Sequence, residues 1–360
     1  MKICFWIGSV YYRPGGTNVI VATIANKLAL THQVSLLVTH SPGKESLVPY
    51  HPSIEIIPHP TANKAHNSKK YHPQTLAQLE EFFNTQGYDI IVATAQEILW
   101  LAMLAPKLTA KTFGWQHNTY DAYLHTKNFM FWKKEPLLKK YIPQLNRLIV
   151  LSKYDVDAYK SHLNLDTLDI NNCLTLKSAI KTDPAQKQFF MAGRFVPQKG
   201  MEYLIDAFNL FCKHNSEWRL VIAGDGPLRS KIIKRVWHHK IQDRVQFVGF
   251  KDNILPYYLA SSIYLLTSRY EGWGLVVTEA FELGLPVIAF DITPMDIMID
   301  HGENGIIVQK YNVKKYAAAM LKLAKDDALR QKMHQAAIKK ANAFDVDAIV
   351  QQWEDVFNFS

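Results

Sequence analysis

Short, nearly continuous apolar runs recur along the chain, and the longer stretches between them place apolar residues at helical spacing. A strand buried on both faces has no need to alternate. Ile3 to Ile7, Val34 to Val38, Ile90 to Ala93 and Leu148 to Leu151 therefore read as parallel-sheet strands of the first half. The second half repeats the pattern with Phe189 to Ala192, Leu220 to Ala223, Val245 to Val248, Ile263 to Leu266 and Val287 to Ala289. Asn18 to Leu30 and Leu275 to Leu283 read as helices, the second closed by Gly284 and Pro286. Alternating strand and helix signals predict an α/β chain with parallel sheets covered by helices. Two such series in 360 residues, with 48% hydrophobic content, predict two domains, each with its own core. The polar, aperiodic stretch Asp166 to Pro184 separates them, with the linker placed near Lys177 to Asp183. The expected division is 1–178, 179–342 and a last segment 343–360, whose stripe of Val346, Ile349, Trp353 and Phe357 marks one more helix.

Composition narrows the class. No apolar run approaches the roughly 20 residues needed to cross a bilayer, and Met1-Lys2 leads straight into the first strand, so a cytoplasmic location is expected. Cys4, Cys173 and Cys212 are scattered without metal-ligand spacing, which supports neither a disulfide scaffold nor a metal site. The net charge of +9 asks for an anionic partner. Nucleic acid is not favoured, because the aromatic residues near the cations read as strand residues and no recognition module is present. Lys127 to Ile142 interleaves five lysines with Phe129, Met130, Phe131, Trp132, Leu137, Leu138 and Tyr141. Such a segment suits an anionic membrane surface, or equally a helix that packs its apolar side inward and leaves its lysines in water.

The chemistry concentrates in Arg269 to Pro286. Glu271 and Glu279 stand with seven residues between them, across a loop bounded by Gly272 and Gly274 and the first turn of a helix. The glycines allow a tight turn, and the free N–H groups of Trp273, Gly274, Leu275 and Val276 face whatever lies at the helix N-terminus. Acceptor-only carboxylates beside an anion-binding helix end suit a ligand carrying both hydroxyls and phosphates, such as a nucleotide sugar. In Phe189 to Gly200, a strand leads into a loop bearing Arg194 and Lys199, a fork and a point charge able to grip a diphosphate. Leu220 to Pro227 runs into a Gly-Asp-Gly turn that fits a donor site or a plain βα turn with Asp225 capping the next helix. The first strand leads through Gly15 and Gly16 into a helix, and His117 follows another strand in Phe113 to Tyr120. A dinucleotide-binding dehydrogenase is disfavoured: the first loop lacks G-x-G-x-x-G, and Thr39-His40 ends the second strand without an acidic residue.

With these segments in place the chain resembles, over essentially its whole length, the family-four retaining glycosyltransferases, whose signature is this spaced glutamate pair. The resemblance implies a GT-B fold, two Rossmann-like domains facing across a cleft, with the last helix crossing back to the first. It implies that Glu271 contacts sugar hydroxyls, that Glu279 holds the ribose, and that the backbone of Gly272, Trp273, Gly274, Leu275 and Val276 meets sugar and diphosphate. Arg194 and Lys199 would stabilise the departing phosphate, Gly15 and Gly16 would approach donor phosphate or acceptor, and His117 would contact donor sugar or acceptor. The implied reaction moves a hexosyl or N-acetylhexosaminyl unit from a UDP-sugar to a cell-envelope glycan, lipid-linked saccharide or related acceptor. It proceeds with retention by same-face attack, and needs no cofactor beyond the donor. No Asp-x-Asp pair that would suggest a metal-held diphosphate appears among these motifs, so a divalent metal is not expected. The expected location is the cytoplasm, with peripheral contact at the cytoplasmic face of the membrane if the basic segment binds there. The alternatives are a sugar-nucleotide epimerase of the same shape and a non-catalytic nucleotide-sugar-binding scaffold.

Overall fold

The computed structural model describes residues 1–10, 15–39, 46, 48–58, 73–120, 122 and 135–359. The chain forms two compact units, Met1–Thr175 together with Val346–Ser360, and Leu176–Asp345.

In the first unit β1 (Lys2–Ile7), β2 (Gln33–Val38), β3 (Glu55–Pro58), β4 (Ile90–Thr94), β5 (Lys111–Trp115), β6 (Arg147–Val150) and β7 (Thr167–Asp169) form one sheet. Its order is β3-β2-β1-β4-β5-β6-β7, and every pair is parallel. β1 is central, with Ile3 in register with Val34 on one side and Ile90 on the other. Ile3, Cys4 and Phe5 are wholly buried, as strands covered on both faces require. The sequence of strands reverses direction across the sheet at the β1/β4 boundary, the place where open α/β sheets part their loops and admit ligands at the carboxyl ends.

The second unit repeats the plan. β8 (Gln188–Ala192), β9 (Arg219–Ala223), β10 (Val245–Gly249), β11 (Ile263–Leu266), β12 (Val287–Phe290) and β13 (Gly305–Val308) lie in the order β10-β9-β8-β11-β12-β13, all parallel. Here the reversal falls between β8 and β11. The loops that leave these two strands are the ones carrying Arg194, Lys199 and Glu271.

The nine strands read from apolar runs are all present, and the strand expected before His117 is β5. β3, β7 and β13 were not expected. β3 and β7 are edge strands of four and three residues with half-buried side chains, and β7 lies inside the stretch read as polar linker. β13 is a four-residue run, GIIV, too short to stand out from its surroundings. Of the basic stretch Lys127 to Ile142, residues 127–134 lie outside the described residues. The remainder forms a helix, Glu135–Tyr141, that buries Leu138 beside Ile142 in the first unit's core and leaves Lys139 and Lys140 exposed. No described helix is long and apolar enough to cross a membrane.

The last helix, Val346–Phe359, packs in the first unit through Ile349, Trp353 and Phe357. Trp353 meets Trp115 edge-on at 4.8 Å, and Phe357 meets Phe113 at 5.3 Å. Around this apolar seam, Lys27 pairs with Asp347 at 2.7 Å and the Lys111 ammonium donates to the Phe357 carbonyl at 2.9 Å. Trp353→Ala would leave a large cavity under β5. The substitution is expected to destabilise the first unit by about 3–5 kcal/mol, read as a lower urea midpoint by tryptophan fluorescence. A midpoint within error of wild type would mean that the helix contributes little.

Candidate active site

The site in the second unit is built from two loops and a helix. After β8 the chain passes Gly193 and Arg194, makes a short turn at Pro197–Lys199, and enters the helix Met201–Cys212 through Gly200 in the left-handed region, at φ 56°. Glycine is required there by space as well as torsion: a Cβ on Gly200 would lie 2.2 Å from the Thr267 carbonyl oxygen. The β8 loop is thus pressed backbone to backbone against the loop that follows β11. Gly224 is equally constrained, since a Cβ there would lie 2.0 Å from the Gly193 carbonyl oxygen. The Gly-Asp-Gly turn therefore buttresses the β8 loop. Asp225 accepts from the Gly226 N–H at 2.7 Å, and does not cap the helix Arg229–His238, which has no side-chain cap.

Across this seam the Lys199 ammonium meets the Glu271 carboxylate at 2.6 Å, with side-chain exposures of 15% and 6%. The Ser268 hydroxyl donates to the same Glu271 oxygen at 2.5 Å. The sequence showed Arg194 and Lys199 as two cations able to grip one anion. In the structure Arg194 is exposed, whereas Lys199 is drawn inward onto Glu271, its stem running against Gly193. Tyr270 lies among these groups. Burial and the neighbouring Glu271 raise its phenol pKa, against the opposing influence of Arg269 and Arg194.

Gly274, at φ 92°, turns the chain into the helix Leu275–Glu282. Trp273 is buried and packs edge-on against Phe344 at 5.9 Å, so its indole belongs to the core. Leu275, Val276 and Glu279 are half-buried on the outer side of the first turns. Glu279 accepts from the Tyr258 hydroxyl at 3.0 Å, which fixes the carboxylate, and burial beside this carboxylate pushes the Tyr258 pKa well up. Ser268 and Tyr258 were missed by sequence reasoning. Ser268 stands three residues before Glu271 and could have been weighed as its partner, but nothing in the sequence brings Tyr258 to Glu279.

The first unit holds the other candidates. Gly15 precedes the helix Gly16–Leu28 with extended torsions, and a Cβ there would meet nothing within 4 Å among the described residues. The described residues therefore leave room for a side chain at this position. At the carboxyl end of β5, His117 is only half-buried as a residue, yet both ring nitrogens are covered and have no hydrogen-bond partner among the described residues. Its ring lies 4.5 Å from that of Trp115. Because protonation charges those covered nitrogens, burial pushes the His117 pKa down to about 3. At neutral pH the imidazole is uncharged, able to share a hydrogen bond but not to act as a strong acid. Nearby, the buried Glu97 accepts from Thr39 at 3.1 Å, and Thr39 accepts from the Trp6 indole at 3.0 Å, a network at the ends of β1, β2 and β4 that the sequence did not reveal.

Two family models account for most of the chain. The one described as "Glycosyltransferase Family 4" matches residues 14–170, and "Glycosyl transferases group 1" matches 175–340. A Haemophilus influenzae protein named an uncharacterized glycosyltransferase is 24% identical, over 99% of each chain. The poly(ribitol-phosphate) alpha-N-acetylglucosaminyltransferase of Staphylococcus aureus is 26% identical, over 69% of this chain and 53% of that protein. Among solved structures, TarM superposes with a TM-score of 0.84 at 16% identity, covering 99% of both chains. A further structure shows a variant of S. aureus TarM in complex with alpha-GlcNAc-glycerol and UDP. These likenesses give the fold as the GT-B class, with two Rossmann-like domains.

The low His117 pKa carries a stability consequence. Between pH 6.5 and about 3 the unfolded chain binds a proton at this residue that the folded chain does not, so the stability is present above pH 6.5 and is lost as the pH falls. Each unit of the shift is worth about 1.4 kcal/mol. Urea midpoints measured from pH 7 to pH 4 should therefore fall more steeply in wild type than in His117→Phe. Parallel slopes would show an imidazole that titrates normally.

Proposed function

Because the chain belongs to the family 4, group 1 glycosyltransferases, we propose that it moves a hexosyl or N-acetylhexosaminyl unit from a UDP-sugar to a cell-envelope glycan or lipid-linked saccharide, with retention. The reading rests on the Lys199–Glu271 pair, brought together at 2.6 Å by the two loops that flank the switch point of the second sheet. A donor diphosphate offers Lys199 a doubly charged partner in place of a single carboxylate. Once Lys199 turns to phosphate, Glu271 is free to accept from sugar hydroxyls. One ion pair thus opens into two ligand contacts, and the buried charges are never left without partners.

In this reading Arg194 reaches the diphosphate from the solvent side, and the N–H groups at the start of Leu275–Glu282 complete the anion site. Glu279, held by Tyr258, accepts from the ribose hydroxyls. The complex of TarM with UDP supports the choice of nucleotide, and the poly(ribitol-phosphate) transferase supports an envelope acceptor. The first unit takes the acceptor, with Gly15 and Gly16 giving close backbone approach and the neutral His117 ring contacting donor sugar or acceptor. As the glycosidic bond breaks, negative charge grows on the leaving phosphate and is stabilised by Arg194, Lys199 and the helix N-terminus. The acceptor hydroxyl attacks from the same face and passes its proton to the leaving phosphate oxygen, so the anomeric configuration is kept. These groups take the neutralising part that a divalent ion would otherwise play.

Arg194→Ala and Lys199→Ala should each lower turnover roughly a hundredfold or more, about 2.7 kcal/mol of transition-state stabilisation, with the fold intact by circular dichroism. Glu279→Ala should mainly weaken UDP binding, measured by calorimetry. Unchanged kinetics in the first two variants would remove the diphosphate clamp. Stereochemistry gives a separate check: an α-linked donor should yield an α-linked product in proton NMR spectra of the early reaction, at a rate that survives chelator. A β product would overturn retention, and loss of activity restored only by a divalent ion would overturn metal independence.

A further inference from the structure

The Lys199–Glu271 contact depends on two loops that leave different strands, and the group stitching them together is Arg269. Its N–H donates to the Gln198 carbonyl at 2.7 Å, and its guanidinium donates to the Pro197 carbonyl and to the Glu202 carboxylate. The same guanidinium donates to the Tyr203 hydroxyl at 3.3 Å and lies 4.8 Å from the centre of the Tyr203 ring. That ring stacks in turn on Tyr311 at 5.2 Å. Two lesser ties run alongside: the Gln198 amide donates to the Tyr270 carbonyl at 3.1 Å, and the Thr267 hydroxyl to the Lys199 carbonyl at 3.1 Å. The side-chain partners of Arg269 thus bracket Lys199 on both sides in sequence, while Arg269 itself stands two residues from Glu271.

We infer that Arg269 is a positioning residue for the donor site, fixing the Lys199 loop against the Glu271 loop so that ammonium and carboxylate meet at the right depth. The inference rests on the donor-binding reading of Lys199 and Glu271 given above. A guanidinium suits the task because its planar fork can serve a carbonyl, a carboxylate and a ring face together, whereas an ammonium is a single point of charge. Neither Arg269 nor Glu202 has to touch the donor. Their effect is carried by the placement of Lys199, and an error of about 1 Å at a reacting group can cost on the order of a hundredfold in rate.

A double-mutant cycle separates this role from simple loss of stability. Arg269→Ala, and Glu202→Gln as a gentler variant, are made in wild type and in Lys199→Ala. Donor kcat/KM with a UDP-sugar is measured alongside thermal midpoints, and the crystal structure of Arg269→Ala is solved. In the wild-type background each variant should lose about tenfold or more. In the Lys199→Ala background most of that loss should vanish, because the group being positioned is gone. The crystal structure should show the Lys199 ammonium displaced from Glu271. Equal fold losses in both backgrounds would overturn the inference, as would a preserved 2.6 Å contact in Arg269→Ala. If wild type neither binds UDP nor turns over a UDP-sugar, the functional reading falls, and the crystallographic distance still decides the positioning.

Discussion

A lysine and a glutamate that have both largely left water cannot be kept together by their attraction alone, because desolvation offsets much of it. The Lys199–Glu271 pair persists because the backbone beneath it leaves no slack. Gly200 admits the Thr267 carbonyl where a side chain would stand, and Gly224 does the same for Gly193. Hydrogen bonds from Thr267, Gln198 and Arg269 then close the seam between the β8 and β11 loops. The strand order sets these loops side by side, and the glycines determine how near they come. Ser268 and the ion pair fill the place so made.

The two units apply one architectural rule to different chemistry. Each sheet is parallel and each reverses its strand order once, so each gathers its polar loops at the carboxyl ends near that reversal. In the second unit the gathered groups are charged and paired. Among the described residues, the first unit instead gathers neutral or covered ones: a glycine helix start, a histidine with shielded nitrogens, and the Glu97, Thr39 and Trp6 network. In the donor and acceptor reading proposed above this contrast has a meaning, since a nucleotide diphosphate needs fixed cations and an acceptor hydroxyl does not.

Much of this was legible in the residues. Buried central strands announce themselves as apolar runs, and the glutamate pair with its glycines fixes a loop and a helix start by local rules. What stayed hidden depends on contacts between distant positions. β3 and β7 are edge strands of four and three residues, half-exposed and too short for a run to stand out. Local spacing could suggest that Arg194 and Lys199 act as a pair, but not that one would turn inward to a carboxylate 72 residues away while the other stayed in water. Tyr258 reaches Glu279 only because a short helix after β10 folds back on the helix Leu275–Glu282. Of the two readings left open for the Gly-Asp-Gly turn, the Asp225 cap is not formed, because its carboxylate accepts from the Gly226 N–H within the turn and the helix Arg229–His238 has no side-chain cap.

The return of Val346–Phe359 to the first unit makes the second unit an insertion within it, entered after Thr175 and left after Asp345. During synthesis the inserted unit has all of its sequence before the enclosing unit does. Trp115, beneath His117, gains its Trp353 neighbour only when residues 346–359 have been made. The wall of aromatic rings behind that histidine is therefore completed late, and the order of translation places the unit that holds the Lys199–Glu271 pair ahead of the unit that contains His117.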